Sequence, residues 1–419
     1  MPTFHRIQRC RICGNSELVP IIDLGDQYLT GIFPREAHQP LTHGPLKLVM
    51  CAGSSESCGL VQLEHSYDPT EMYGQNYGYR SALNRSMVEH LRQKAKSVTA
   101  QVDLQDGDLV LDIGSNDGTF LSFFPASTRR LGMDPSAAEL CASYDQGIRC
   151  IADYFSANRF REEVGNTKAR IVTSIAMFYD LDNPQDFVCD VASILADDGV
   201  WHFEQSYLPL MIDVVGYDTI CHEHVEYYAL AQIEWMLARA GLSVCDVETN
   251  NVNGGSFAVT ACKATSGRAI SGKVAEMRDR ERRRGLNTMQ PFRVFEQKVI
   301  QHRTQLIDLI GQLRSGGSTI LGYGASTKGN VILQYCGLTS EEIPCIAEVN
   351  ADKFGCFTPG TMIPIVSESE AHAMHPDYFL AMPWHFRSTL LERESEFLAR
   401  GGGMIFPLPQ LEIVKRKAH

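Results

Sequence analysis

Two stretches of the chain join a short apolar run to a glycine-rich turn and then to helical sequence. They constrain the fold more than any other feature. The first is Leu109-Val-Leu-Asp112-Ile-Gly114-Ser-Asn116-Asp-Gly118-Thr-Phe120, and the second is Leu321-Gly322-Tyr-Gly324-Ala-Ser326-Thr-Lys328-Gly329-Asn330. A buried strand that turns on glycine into a helix belongs to a parallel sheet covered by helices, and the helix N-terminus then faces whatever lies over the turn. Around the first turn, residues 85–262 alternate helical sequence with the apolar runs Leu109–Ile113, Arg130–Met133, Ile171–Ser174, Gly199–Phe203 and Phe257–Cys262, which predicts an α/β domain. Around the second, Ser318–Tyr323, Ile343–Val349 and Tyr378–Ala381 read as strands and Gly329–Tyr335 as a helix. No fixed period relates the two units, so they are separate domains and not a solenoid. Between them, residues 275–290 are dense in Arg and Glu and read as a solvated connector. Apolar residues at helical spacing from Gln290 to Arg314 predict a helix that Gly316 and Gly317 end.

A chain of 419 residues has room for two to four domains of about 150 residues. The expected divisions are 1–70, 71–265 and 266–419. The net charge of −12 disfavours nucleic-acid binding, which needs a basic face. No run reaches the roughly 18 apolar residues of a bilayer span. Met1 to Cys10 is polar, without an apolar signal core, so a cytoplasmic location is expected. The 13 cysteines are odd in number, and in a reducing compartment a disulfide scaffold is not expected. Cys141, Cys150, Cys189, Cys245, Cys262, Cys336, Cys345 and Cys356 are scattered among apolar residues and read as small buried hydrophobes.

Four further cysteines cluster in the Cys-bearing, loop-rich residues 1–70. Cys10 and Cys13 form one close pair, and Cys51 and Cys58 form a looser one. Two such knuckles supply the four thiolates of a closed, structural zinc site. Gly14 and Gly59 directly follow the second Cys of each pair, where a tight knuckle favours glycine. The plainer alternative, four free thiols, would leave a domain of about 70 residues without a staple.

The first glycine turn lacks the dinucleotide fingerprint, because Asn116 and Thr119 stand at its second and third glycine positions. Acids line it instead. Asp112 ends the first strand, Asp134 ends the next, and Asp153 follows the third. An acid at that place binds ribose hydroxyls, and an acidic rim suits a cation and repels a pyrophosphate. The sulfonium cofactor S-adenosylmethionine meets both conditions, with Gly114, Asn116 and Gly118 beneath it and Asp153 toward the adenine; NAD and an empty sheet turn are the alternatives. The second turn is not a Walker A loop, since Asn330 stands where Lys is required. Its amides, Ser326, Thr327 and Lys328 can hold a pyrophosphate, and Glu348 can take a ribose hydroxyl; a turn without ligand is again the alternative.

Two histidines, two glutamates and three tyrosines fall between Tyr217 and Tyr228, in the order Tyr217-Asp-Thr-Ile-Cys221-His222-Glu223-His224-Val-Glu226-Tyr227-Tyr228. The spacing is not that of a zinc protease. General acid–base work suits it, with a neutral imidazole removing an acidic C–H proton and a neighbouring carboxylate orienting the ring. A polar turn with satisfied histidines remains the other reading. Tyr207, which closes the run Phe203–Tyr207, is a candidate substrate contact. In the tyrosine-rich stretch Tyr73 to Ser81, Tyr77 and Tyr79 can bind a substrate oxygen or stabilise an enolate, against an alternative of aromatic packing in a linker.

The order of the Cys pairs, DIGSNDGTF, CHEHVEYY, GYGASTKGN and then FTPGT-MIPI, over roughly residues 8–415, resembles the nucleotide-sugar C-methyltransferases. These act on thymidine-diphosphate 4-keto deoxysugars in making branched sugars of antibiotics and cell surfaces. The resemblance implies a small N-terminal zinc-binding domain, a central class I S-adenosylmethionine methyltransferase domain of Rossmann-like fold, and a C-terminal Rossmann-like α/β domain. It implies that His224 removes the proton next to the ketone, with Glu223 beside it, and that the enolate takes the methyl group. His222 and Tyr77 or Tyr79 are then candidate enolate stabilisers, Ser326 and Lys328 phosphate contacts, and Glu348 a nucleoside contact. The chain departs from the family pattern at Cys221, where the family has tyrosine, and in Ile175–Asp180, where the family has a histidine and Tyr179 is the stand-in. Three other readings stay open: methyl transfer to oxygen or nitrogen, a keto substrate that is not a sugar, and a zinc-anchored protein that binds its ligand without turnover.

Overall fold

The computed structural model describes residues 4–36, 38–52, 57–73 and 80–416. The N-terminal part, expected to be loop-rich, is built on strands. Strand His43–Cys51 alternates only as far as Leu48, with Leu46 and Leu48 buried and Lys47 not, and then buries Val49, Met50 and Cys51 in succession, so its end is covered on both faces. It pairs antiparallel with Leu18–Tyr28 on one side and Val61–Leu63 on the other. The outermost strand of this sheet is Glu226–Tyr227, which comes from the His-Glu-His segment and pairs with Val61 and Gln62.

The central sheet has seven strands. Leu109–Ile113 lies third from one edge and is buried at all five positions, as a strand covered on both faces must be. Numbered along the chain from it, the strands are Leu109–Ile113, Arg129–Met133, Ile148–Ile151, Ala169–Ile175, Leu195–Ser206, Leu242–Asn250 and Ser256–Lys263, and they lie in the order 3-2-1-4-5-7-6. The last strand runs antiparallel to both its neighbours. Strand order reverses beside Leu109–Ile113, where an open α/β sheet binds its ligand. The C-terminal sheet repeats the device. Ile320–Tyr323 lies between Ile346–Glu348 and Tyr378–Ala381, all parallel, and Glu412–Lys415 closes the far edge antiparallel. Among the described residues no helix is long and apolar enough to cross a membrane.

Two expectations need correction. The Arg- and Glu-rich connector is not merely solvated. It contains most of helix Gly272–Arg284, which buries Val274, Met277 and Glu281 on one face. Glu281 accepts hydrogen bonds from the Leu230 and Ala231 amides at 2.7 and 3.2 Å, so it sits at the start of helix Leu230–Arg239, where a carboxylate is favoured. Of the scattered cysteines, Cys245, Cys262, Cys336, Cys345 and Cys356 are buried, but Cys189 is exposed. Cys141 and Cys150 form a disulfide between a short helical turn and the edge strand Ile148–Ile151, where the sheet meets solvent.

Candidate active site

The segment Tyr217–Tyr228 is held by all three parts of the molecule. Tyr217, Ile220, Cys221, Val225 and Tyr227 pack in one core with the N-terminal and C-terminal sheets, while Tyr228 packs in the central core. His224 Nδ1 lies 3.0 Å from the Thr219 carbonyl. A carbonyl only accepts, so Nδ1 carries the proton and Nε2 is the basic nitrogen. The ring meets Tyr179 edge-on at 4.4 Å. Burial, and then the charge of Lys328, lower its pKa to about 4, so the imidazole is neutral at pH 7.

The orienting group is therefore a carbonyl and not the expected carboxylate. The His224 amide closes a turn onto the Cys221 carbonyl at 3.1 Å, and within it Glu223 is directed toward the N-terminal part. Its Oε2 lies 3.3 Å from Thr30 Oγ1, and its Oε1 lies 2.7 Å from where a Cβ on Gly31 would stand. His222 also departs from its expected role. It is fully buried against Tyr67 at 4.5 Å, in the N-terminal part, and burial lowers its pKa to about 4. Tyr207 is not placed as a substrate contact: it is fully buried and donates to Glu281 at 2.7 Å, which ties the Arg-rich helix to the central sheet. Tyr77 and Tyr79 lie outside the described residues. Just after them, the amides of Ser81 and Ala82 donate to Asn116 Oδ1 at 3.0 Å and Asp117 Oδ2 at 2.8 Å.

The first glycine turn needs its glycines. Gly114 and Gly118 have φ of +75° and +76°, and a Cβ would come within 2.9 Å of Met177 and Tyr144 respectively. Asn116 joins them at φ 48°. Asp134 Oδ2 accepts from the Asn116 amide at 2.8 Å, and Oδ1 from the Ser136 amide at 2.7 Å. Asp112 is buried beneath the turn, accepts from Thr173 Oγ1 at 2.6 Å, and is pushed by burial to a pKa of about 7. Asp153 stands at the exposed rim, 3.3 Å from Arg159. Sequence gave no pointer to Tyr144, which lies 28 residues beyond Asn116 and donates to its carbonyl at 2.8 Å. This cradle fits a ribose-bearing cation, with a buried carboxylate at the strand end and amides above glycine. Replacing Asp134 by Ala should weaken S-adenosylmethionine binding by about 1.5–3 kcal/mol, the usual worth of hydrogen bonds to a charged group. Titration calorimetry checks this, and unchanged affinity removes Asp134 from the site.

The second turn matches the first. Glu348 Oε2 accepts from the Ala325 amide at 2.8 Å, as Asp134 does from Asn116. Ser326 Oγ caps helix Thr327–Cys336 by accepting from Gly329 at 3.0 Å. Lys328 does not stay in its own domain. Its ammonium donates to the Asn253 carbonyl, between the last two strands of the seven-stranded sheet, and lies 3.7 Å from where a Cβ on Gly254 would stand. Burial lowers its pKa against the opposing charge of Asp218, and its own charge adds to burial in lowering those of His224 and His385. Asp218 Oδ2 accepts from Trp384 Nε1 at 2.7 Å. Thr219, Asp218, Trp384 and His385 were not singled out in the sequence, since only the fold brings Trp384 and His385 to the His-Glu-His segment.

The four N-terminal cysteines converge. All their sulfur atoms lie within 4.8 Å of one another, with Cys10 and Cys58 at 3.4 Å and Cys13 and Cys51 at 3.3 Å. Four thiols at that spacing suit tetrahedral zinc. Gly14 and Gly59, at φ 72° and 71°, make the turns that aim them.

Strand order, cofactor turn and four-sulfur knuckle together define an S-adenosylmethionine-dependent methyltransferase with a zinc-binding N-terminal domain. Comparison with known proteins agrees. Residues 10–73 match a family described as a candidate zinc binding domain, residues 87–247 a methyltransferase domain, and residues 251–409 the C-methyltransferase C-terminal domain. The C-methyltransferase NovU of Streptomyces niveus is 31% identical over 417 residues, 98% of either chain. The chain belongs to the C-methyltransferase family, and its cofactors are S-adenosylmethionine and zinc. Similar solved structures include a magnesium protoporphyrin IX methyltransferase from Synechocystis with bound S-adenosylhomocysteine, at TM-score 0.34 and 14% identity over 43% of this chain and 88% of that one. Another is the YcgJ protein of Bacillus subtilis, at TM-score 0.33 and 14% identity over 42% of this chain and 98% of that one.

Proposed function

We propose that the protein transfers a methyl group to the carbon beside the ketone of a nucleotide-linked 4-keto deoxysugar, in deoxysugar and antibiotic biosynthesis in the cytoplasm. The observation that carries this reading is His224, a buried neutral imidazole with its proton on Nδ1, in contact with Tyr179 and within the field of Lys328. The support for a nucleotide is the second glycine turn, with a capped helix N-terminus, a lysine and a strand-end carboxylate. Methyl transfer to oxygen or nitrogen needs no C–H base, whereas a buried, oriented imidazole is what carbon deprotonation requires.

S-adenosylmethionine supplies an electrophilic methyl when bound, with Asp134 and the Gly114–Gly118 turn as its holders. His224 Nε2 takes the α-proton of the ketone. A pKa of about 4 makes a weak base for a carbon acid. A diphosphate bound at Lys328 offsets the ammonium and lifts the pKa toward the operating range, so substrate binding itself strengthens the base. Tyr77 or Tyr79 is proposed for the enolate oxygen on the family resemblance alone.

The deciding experiment is turnover with labelled methyl donor across a panel of nucleotide 4-keto sugars, read by mass and carbon NMR. A new carbon–carbon bond next to the ketone is expected, and methyl found on oxygen or nitrogen overturns the reading. Lys328→Ala should raise KM for the nucleotide sugar and leave donor affinity unchanged. It should also move the acid limb of kcat/KM upward, because the cation that helps depress His224 is gone. A variant in which only donor affinity changes would remove the second turn from substrate binding.

A further inference from the structure

Arg11 lies between the knuckle cysteines Cys10 and Cys13, yet its guanidinium is engaged with other segments. Its side chain is only 3% exposed. Nη1 donates to the Leu63 carbonyl at 2.7 Å, Nη2 to Ser66 Oγ at 2.8 Å, and Nε to Asp182 Oδ1 at 3.3 Å. Ser66 Oγ donates to the same Asp182 oxygen at 2.5 Å. On its other side, Nε lies 3.9 Å from Oε1 of the buried Glu226. A planar guanidinium held by that many acceptors has one position available to it.

The carboxylate it hydrogen-bonds, Asp182, and the one it lies beside, Glu226, belong to the two segments that carry the candidate base. Asp182 follows by two residues the short helical turn Phe178–Asp180 that contains Tyr179, and Glu226 follows His224 by two residues. The segments are also joined to each other. The Val225 amide donates to the Tyr179 carbonyl at 3.0 Å, and the Leu63 amide donates to the Val225 carbonyl at 2.9 Å. Arg11 thus closes a ring that runs from the zinc knuckle to Asp182, through Tyr179 to His224, and back through Glu226. The backbone of Arg11 cannot move without the metal site, since Cys10 directly precedes it and Cys13 follows two residues later.

We propose that Arg11 is a positioning residue for methyl transfer: it locks the His224–Tyr179 pair to the zinc knuckle and thereby sets where Nε2 points. This rests on His224 as the base. It gives the zinc domain a part in the reaction without placing the metal near the substrate. It also accounts for Glu226, an acid of the His-Glu-His segment that the chemistry itself does not use.

The test uses the zinc-loaded full chain with Arg11→Lys and, separately, Asp182→Asn, which cuts the ring at its more exposed end. Lysine keeps the charge but cannot reproduce the fork. Zinc should stay near one per chain, and donor affinity and KM should hold. Turnover should fall by about 10- to 10²-fold, the order expected when a reacting group is displaced by an ångström. The imidazole nitrogen NMR signals of His224, assigned by their loss in His224→Asn, should shift in both variants. Wild-type turnover with unmoved imidazole signals overturns the proposal. If Arg11→Lys loses zinc or does not fold, Asp182→Asn decides alone, and an unchanged turnover there overturns it. If His224→Asn is itself fully active, the base assignment fails, whereas shifted signals in Arg11→Lys still support the clamp.

Discussion

Replacing His224 by Asn or Gln should cut turnover by about 10²–10⁴-fold, the usual worth of a general base. Both ligands should still bind, because the side chain's hydrogen bond is to the Thr219 carbonyl, which an amide can also satisfy. The loss belongs in kcat, since a C–H bond beside a ketone gives up its proton only in the transition state. A second readout isolates that step. Wild-type protein given the keto substrate in deuterated water without methyl donor should exchange the α-proton, and the variant should not. The pH dependence has a defined sign. The folded pKa of about 4 lies below the ordinary 6.5, so the imidazole stays neutral as pH falls through 6.5. The acid limb of kcat/KM, which reports the free enzyme, should therefore lie below 6.5. Near-normal turnover in the variant would remove His224 as base. The two other candidates next to it in sequence are poor replacements, with His222 packed on Tyr67 and Glu223 turned to Thr30.

What could be read from the chain beforehand was what local chemistry dictates. A strand buried on both faces, a glycine at positive φ and a strand-end acid are properties of a few neighbouring residues, so Leu109–Ile113, Gly114, Gly118 and Asp134 were recognisable. The equivalent Gly324 and Glu348 were legible for the same reason. The four cysteines were legible because metal geometry restricts spacing. What failed was direction. His222, Glu223 and His224 are consecutive, and density alone assigned them one site, but a turn sends them to different neighbours. Tyr207 read as a substrate contact because nothing local shows that Glu281, 74 residues on, takes its hydroxyl. Lys328 read as a phosphate ligand of its own domain, while the fold extends it to Asn253 and into the field of His224. The N-terminal strands were hidden because Gly and Pro interrupt their alternation, and their fourth partner, Glu226–Tyr227, arrives from another part of the chain.

Removing zinc should abolish turnover by melting the N-terminal sheet and leaving the cofactor domain folded. The metal has that leverage because of where its ligands sit. Cys10 and Cys13 precede strand Leu18–Tyr28, Cys51 ends strand His43–Cys51, and Cys58 leads into Val61–Leu63. Zinc therefore fixes the ends of three strands in a domain too small to depend on its core alone. Structural zinc in small domains contributes about 10–16 kcal/mol of apparent binding free energy, more than such a sheet has to spare. The effect should travel further than the metal. Glu226–Tyr227 hangs on Val61 and Gln62, so melting that edge frees the segment that carries His224. The central strand Leu109–Ile113, buried at every position, has no such dependence. Hydrogen exchange after chelation, or in Cys13→Ser, should show lost protection at Val61–Leu63 and Glu226–Tyr227 with protection kept at Leu109–Ile113. Metal analysis of the untreated protein should give about one zinc per chain. Zinc-free protein with unchanged exchange and full turnover would exclude the structural role.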